Sequence, residues 1–394
     1  MTENSSKHVL RILGALGLMF VFPYLGAFIR YKGDFPKTMF NYPAIEPEAK
    51  ASFNPLLFGI LCIFLIALIT LYLYPRLVGF KKVTIPNTKK EIKNTPFPKW
   101  FWIGLVLWCL SLFLLWGHHI GLTWFFKFID ITLWWSFSLV LDGIVYKRTG
   151  GKSLLSTSHR EIIGIAFASV MGWMIFEYFN FFVNDNWYYP NGNQIPAAEF
   201  LCYSMLTSTA VFPISFEWFS LFNTFPKFKL KYTQGPKLVF PRWLKTTLVV
   251  LGYASMFAIS YFPDELFFMV WIAPLAIFSV VLDDLDIWTP FSSLKKGNWS
   301  PLLLIALSWV SAGLCVECWN YFSGTHIDGI LKSYNTLYWA YSVPYVNEPH
   351  LFEMPLLGYM GYLPYGVYAG IWWITFAYLL NIPTQFSEHG HQNV

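Results

Sequence analysis

Residues 161–183 read EIIGIAFASVMGWMIFEYFNFFV. The run is apolar over about 20 residues, the length that crosses a hydrocarbon core, yet it carries Glu177 and Asn180 three residues apart near its end. Working outward, runs of the same kind occupy 9–30, 54–75, 100–117, 123–146, 198–222, 246–262, 265–283, 301–322 and 351–380. Together they predict an all-α polytopic membrane protein of about ten transmembrane helices. The last run holds Pro355, Pro364, Gly358, Gly361, Gly366 and Gly370, which predicts a discontinuous or kinked entry. The first follows Lys7 and Arg11 without a small-residue cleavage pattern behind it and reads as a retained anchor.

Composition points the same way. Of 394 residues 56% are apolar and only 12% charged, against roughly a quarter charged in a soluble domain. The 21% aromatic content suits bilayer interfaces, where a ring buries its body and wets its tip. A disordered chain, a coiled coil and a nucleic-acid binder are excluded. With the N-terminus inside, 21 of the 27 Lys and Arg fall on the inner side, and Arg30, Lys32, Lys37, Lys50, Lys127 and Lys332 on the outer. The asymmetry predicts N-in, C-in topology in a plasma (inner) membrane, with anionic lipid headgroups as partners of the inner basic loops.

Self-comparison shows an internal repeat. Leu141-Asp142 ends the fourth run, Glu177-Tyr178-Phe179-Asn180 follows, then Trp187-Tyr188-Tyr189-Pro190, and Glu199 opens the sixth run. Leu282-Asp283 ends the eighth, followed by Glu317-Cys318-Trp319-Asn320, then Trp339-Ala340-Tyr341, and Phe352-Glu353 opens the tenth. Glu217 is a rival partner for Glu353 in this alignment. Four helices per copy give both copies one orientation, with a candidate site between them. The chain then divides into 1–99 (two N-terminal helices and a basic loop), 100–245 (first copy) and 246–394 (second copy and a short tail). Two packing units without a shared site remain the plain alternative.

The recurring residues are carboxylates at membrane depth, which are costly to insert and therefore candidates for function. Glu177 and Asn180 share a helical face with Trp173; Glu317 and Asn320 repeat it, with Gly313 at the Trp position. Glu199 and Glu353 are expected to begin the returning helices, either as pocket acids or as first-turn acids that offset a helix N-terminus. Convergence of the four would make proton donors and acceptors of them, with Asn180 and Asn320 orienting them. Asp142 and Asp283, near basic residues, are candidates for headgroup binding or for salt-bridged helix ends. Asp185, Trp187, Trp339 and Tyr341 are expected in an outer aromatic rim or lid, and Trp173, Trp187, Tyr189, Trp339 and Tyr341 as substrate contacts.

Absences prune the alternatives. The five cysteines lie in apolar runs, and Cys315-x-x-Cys318 has no second pair, so no disulfide framework or metal site is expected. His118-His119 lacks carboxylates in its own run, and Walker, dinucleotide, zinc-protease and Gly-x-Ser-x-Gly signatures are missing. No cofactor is expected.

Trp187-Tyr188-Tyr189-Pro190, Gly192, the stretch Ile195-Pro196-Ala197-Ala198-Glu199-Phe200-Leu201, and Trp339, Tyr341, Pro344 and Phe352-Glu353 resemble the membrane lycopene cyclases of the heterodimeric and fused type. Those proteins duplicate a multi-helix unit carrying a Pro-x-Glu-Glu motif; here Ala198-Glu199 and Glu353-Met354 stand at the double Glu. The resemblance implies an enzyme whose acids protonate a polyene and start ring closure without redox chemistry. The expected function is thus an intramembrane acid/base enzyme of the cyclase or isomerase kind, acting on an isoprenoid or other lipid. A proton- or cation-coupled transporter using the same acids, and a non-catalytic scaffold, are the alternatives.

Overall fold

The computed structural model describes residues 3–46, 49–83, 94–117, 125, 128–327 and 330–387. His118-His119, Lys127 and the start of the expected fourth run lie outside the described residues, as does the tail from 388. The main helices are α1 (Glu3–Tyr31), α2 (Pro55–Leu73), α3 (Lys99–Trp116), α4 (Ile129–Thr149), α5 (His159–Asn180), α6 (Ala197–Ser208), α7 (Val211–Asn223), α8 (Arg242–Ala258), α9 (Met269–Asp284), α10 (Ser300–Phe322) and α11 (Tyr362–Leu380).

Among the described residues, eight candidate spans are long and apolar enough to cross a bilayer, counting α6 with α7 as one and the turn from Leu356 with α11. The chain is a multi-pass, predominantly helical membrane protein. The seventh and eighth of the expected runs form shorter helices. There α8 has 17 residues and α9 has 16, separated by the short helix Pro263–Leu266. At 1.5 Å per residue each covers about 25 Å, at the lower limit of what crosses a core of about 30 Å.

The sixth run is broken where a continuous helix was expected. Pro213 lies in the first turn of α7, and in an unbroken helix its ring would strike the carbonyl of Thr209. Ser169 of α5 serves both broken ends, its Oγ accepting from Phe212 N at 3.0 Å and donating to Ser208 O at 2.5 Å. Such an interruption is tolerated where protein supplies the missing partners. The tenth run shows its expected break. Residues 350–355 form a strand pair, Leu356–Gly361 a 3₁₀ turn, and only then does α11 begin.

The structure is predominantly helical, and the longer connecting loops add short strand pairs. Among the described residues three two-stranded antiparallel pairs form: β1 (Trp187–Tyr188) with β4 (Ala340–Tyr341), β2 (Gly324–Ile327) with β3 (Ile330–Ser333), and β5 (His350–Leu351) with β6 (Met354–Pro355). In the first, Trp187 faces Tyr341 and Tyr188 faces Ala340. This pair stitches the loop after α5 to the loop after α10.

One core runs through all three sequence segments. Met19, Phe176, Phe212, Phe278, Trp309 and Tyr368 belong to a single buried cluster. A second joins Leu133 and Phe137 of α4 to Ile214 of α7 and Trp319 of α10. By contrast α2 buries none of its side chains, as a helix facing hydrocarbon would.

Candidate functional site

Glu177 lies one turn from the end of α5 and is 5% exposed. After α5 the chain turns back through Asn184 and Asp185, both at positive φ, which aims the following residues into the bundle. Tyr189 Oη then donates to Glu177 Oε1 at 2.5 Å, and Trp187 Nε1 reaches the same oxygen at 3.3 Å. Asn180 grips the loop backbone: its Nδ2 donates to Trp187 O at 2.8 Å and its Oδ1 accepts from Asn186 N at 2.8 Å. Trp173 packs on Trp187, ring centroids 6.1 Å apart.

The same construction recurs at Glu317, fully buried near the end of α10. Tyr341 Oη donates to Oε1 at 2.6 Å, and Trp339 Nε1 lies 3.3 Å from each oxygen. Asn320 Nδ2 donates to Trp339 O at 2.7 Å and Oδ1 accepts from Trp339 N at 3.1 Å. A further donor, Tyr362 Oη of α11, stands 2.7 Å away. Its ring fits because position 313 is glycine; a Cβ there would lie 2.6 Å from Tyr362 Cε2.

The two glutamates are bridged twice. Trp187 and Tyr341, their respective partners, are opposed in the β1–β4 pair. On α11, Tyr362 serves Glu317, and one turn on, Tyr365 packs against Trp173 (6.2 Å), Phe176 (4.7 Å), Trp271 (5.4 Å) and Trp309 (4.5 Å). The hydroxyls of Tyr365 and Tyr368 are buried without a partner among the described residues. Burial, and then the carboxylate each one faces, hold the Tyr189 and Tyr341 phenols well above their ordinary value, so both remain donors.

Several expectations change. Of the residues expected in an outer rim or lid, Asp185 and Trp187 are buried at 8% and 4% exposure and Trp339 and Tyr341 are half-buried, and the donors of Trp187, Trp339 and Tyr341 turn inward to the two glutamates. Glu199 is exposed in the first turn of α6 and does not join Glu177, its position being that of an acid offsetting the free N–H groups of a helix start. Glu353 sits in the turn between β5 and β6 rather than opening a helix, and accepts from Tyr338 Oη. It is close enough to act on Glu317 electrostatically.

Asp142 and Asp283 are not equivalent. Asp142 is wholly buried and accepts from Trp100 Nε1 (2.8 Å), Ser153 Oγ (2.9 Å) and Leu155 N (2.9 Å). It ties the loop after α4 to α3, which corrects the headgroup reading for this residue. The cations expected beside it turn elsewhere, Lys147 over Phe97 and Arg148 over Phe225. Asp283 is a salt-bridged helix end, paired with Lys245 and with Lys295 at 3.2 Å.

Sequence reading missed Asp130, buried at the start of α4, where Tyr203 Oη donates to Oδ2 at 3.0 Å. It also missed Tyr362 and Tyr338. Asp130 stood in a run whose start carries no second copy of the motif, so repetition could not flag it. Among the described residues no group of His, Cys, Asp and Glu is arranged to hold a metal ion.

Comparison with protein-family models, curated proteins and solved structures finds no match to this chain.

Proposed function

We propose that the chain is a membrane-embedded enzyme that acts on an isoprenoid or other lipid through carboxylic acid/base chemistry at Glu177 and Glu317, as the resemblance to membrane lycopene cyclases implies. The observation that carries this reading is the aromatic cluster between the two acids, with Trp173 and Trp187 beside Glu177, Trp271 and Tyr365 packed next to them, and Tyr362 on Glu317. Ring faces stabilise a developing positive charge, and exclusion of water protects it. One acid, in its protonated form, gives its proton to a substrate double bond, whose π electrons form the new C–H bond and leave a carbocation. Loss of a proton from a neighbouring carbon to a carboxylate restores a double bond, so the substrate isomerises or closes a ring with no net change in atoms or electrons. Tyr189 orients the Glu177 carboxyl, and Tyr341 and Tyr362 the Glu317 carboxyl, by hydrogen bonds; Asn180 and Asn320 are positioning residues.

The same reading takes 100–245 and 246–394 as two copies in one orientation, supported by the recurrence of the Glu, Asn, Trp and Tyr contacts. Both termini then face the cytoplasm of a plasma membrane, with the inner basic loops against anionic headgroups. A reporter fused to the C-terminus is expected to be active only in the cytoplasm; a periplasmic or extracellular signal overturns that orientation.

A coupled transporter is the second reading, favoured by the interruption between α6 and α7, since broken helices at membrane depth are how transporters bind ions and substrates. One experiment separates the two. Untargeted lipid mass spectrometry compares cells expressing the wild type and the Glu177→Gln, Glu317→Gln double variant at matched levels. A lipid species altered by the wild type alone is the expected result. Identical profiles together with proton flux in sealed vesicles would replace the enzyme with the transporter.

A further inference from the structure

At the other end of α5 a second set of acids is buried. Glu161 is the third residue of that helix, sixteen residues before Glu177 and so about 24 Å from it along the axis. With it are Asp142 of α4 and Glu217 of α7, both 0% exposed. Glu161 accepts from Gln385 N at 2.9 Å, and Asp142 has the three donors described above. Glu217 is unlike either. Both of its oxygens are buried and accept from no donor among the described residues, and the polar group it faces is the Asp142 carboxyl, with Glu161 also acting on it. None of the three is in an ion pair among the described residues.

Two ionised carboxylates cannot hydrogen-bond, because each only accepts, and an unpaired buried charge is among the costliest features a fold can carry. A single proton answers both problems at once. It removes one charge and supplies the missing donor between the two oxygens. The C-terminal segment packs beside this cluster. Phe386, 6% exposed, packs on Phe216 at 4.5 Å and Phe219 at 5.8 Å, the neighbours of Glu217 in sequence. Thr384 Oγ1 accepts from Trp373 Nε1 at 2.9 Å, and Gln385 N is held by Glu161.

We propose that Asp142 and Glu217 form a proton-binding site, one proton held between the two carboxyls, and that the segment carrying Thr384, Gln385 and Phe386 is the seal that controls its exchange with water. The site is separate from the Glu177 and Glu317 cluster and stands whether or not the lipid chemistry does. Asp142 and Glu161 are the charged groups that bear on Glu217 from the helices packed around it.

Infrared spectroscopy of the full-length protein in nanodiscs tests this, since a protonated carboxyl has a C=O stretch that a carboxylate lacks. Glu217→Gln and Asp142→Asn are each expected to remove one such band at neutral pH, because either amide supplies the donor itself. If one variant does not fold, the other decides. Phe386→Ala is expected to speed the isotope shift of that band in D2O at least tenfold. A band that survives in a folded variant, or a wild-type difference spectrum containing carboxylate stretches alone, overturns the proton site; an unchanged exchange rate overturns the seal.

Discussion

Glu317→Ala is expected to destabilise the protein by roughly 3–6 kcal/mol, because it strands several buried donors at about 1–3 kcal/mol each, with incomplete additivity. The stranded groups are the Tyr341 and Tyr362 hydroxyls and the Trp339 indole, and with them goes the reason for the loop after α10 to fold inward. Against a total stability of about 5–15 kcal/mol this is a large fraction. Glu317→Gln keeps a carbonyl oxygen in place and should lose only about 1 kcal/mol. Thermal unfolding in detergent measures both. If the alanine variant melts with the wild type, the carboxyl does not organise these loops.

The second large effect is steric. Gly26 of α1 lies so close to α8 that a Cβ would fall 2.1 Å from the carbonyl oxygen of Phe257. That oxygen is backbone, so no rotamer change relieves the clash and the helices must separate. Gly26→Ala is expected to cost about 3 kcal/mol, the upper end of ordinary overpacking. The internal control is on the same helix, where Gly14 and Gly17 have nothing within 4 Å of the position a Cβ would take. Alanine there should stabilise by up to about 1 kcal/mol through helix propensity. Equal melting temperatures for the three variants would sink the close approach of α1 and α8.

Hydropathy located the main helices because apolar length is a property of local composition. The Glu-x-x-Asn motifs were legible for another reason: both copies set Glu and Asn three apart and, after loops of different length, Trp and Tyr two apart, and the structure gives those residues matching partners. Elsewhere the signal was weaker or ambiguous. Pro213 marked the break between α6 and α7, but a proline in an apolar run also fits a kinked continuous helix. The inward turn of Trp187, Tyr189, Trp339 and Tyr341 depends on which acceptors the fold brings beneath them, and no window of sequence contains that. Glu199 shows the converse. Alignment made it equivalent to Glu353, while its neighbours in space leave it at an exposed helix start. Glu217 was noticed only as an alignment rival, since burial without a donor is invisible in one dimension.

The strand pair between Trp187 and Tyr341 also dictates an order of events during synthesis. Residues about 150 apart in the chain must meet, and at roughly 5–20 residues per second of translation the earlier strand waits about 10–30 seconds for its partner. Throughout that interval the first glutamate can already recruit Trp187 and Tyr189, while the backbone of its loop has an open edge. A chaperone or a neighbouring nascent chain has that window in which to pair with it, and truncation anywhere before Ala340 leaves it open permanently.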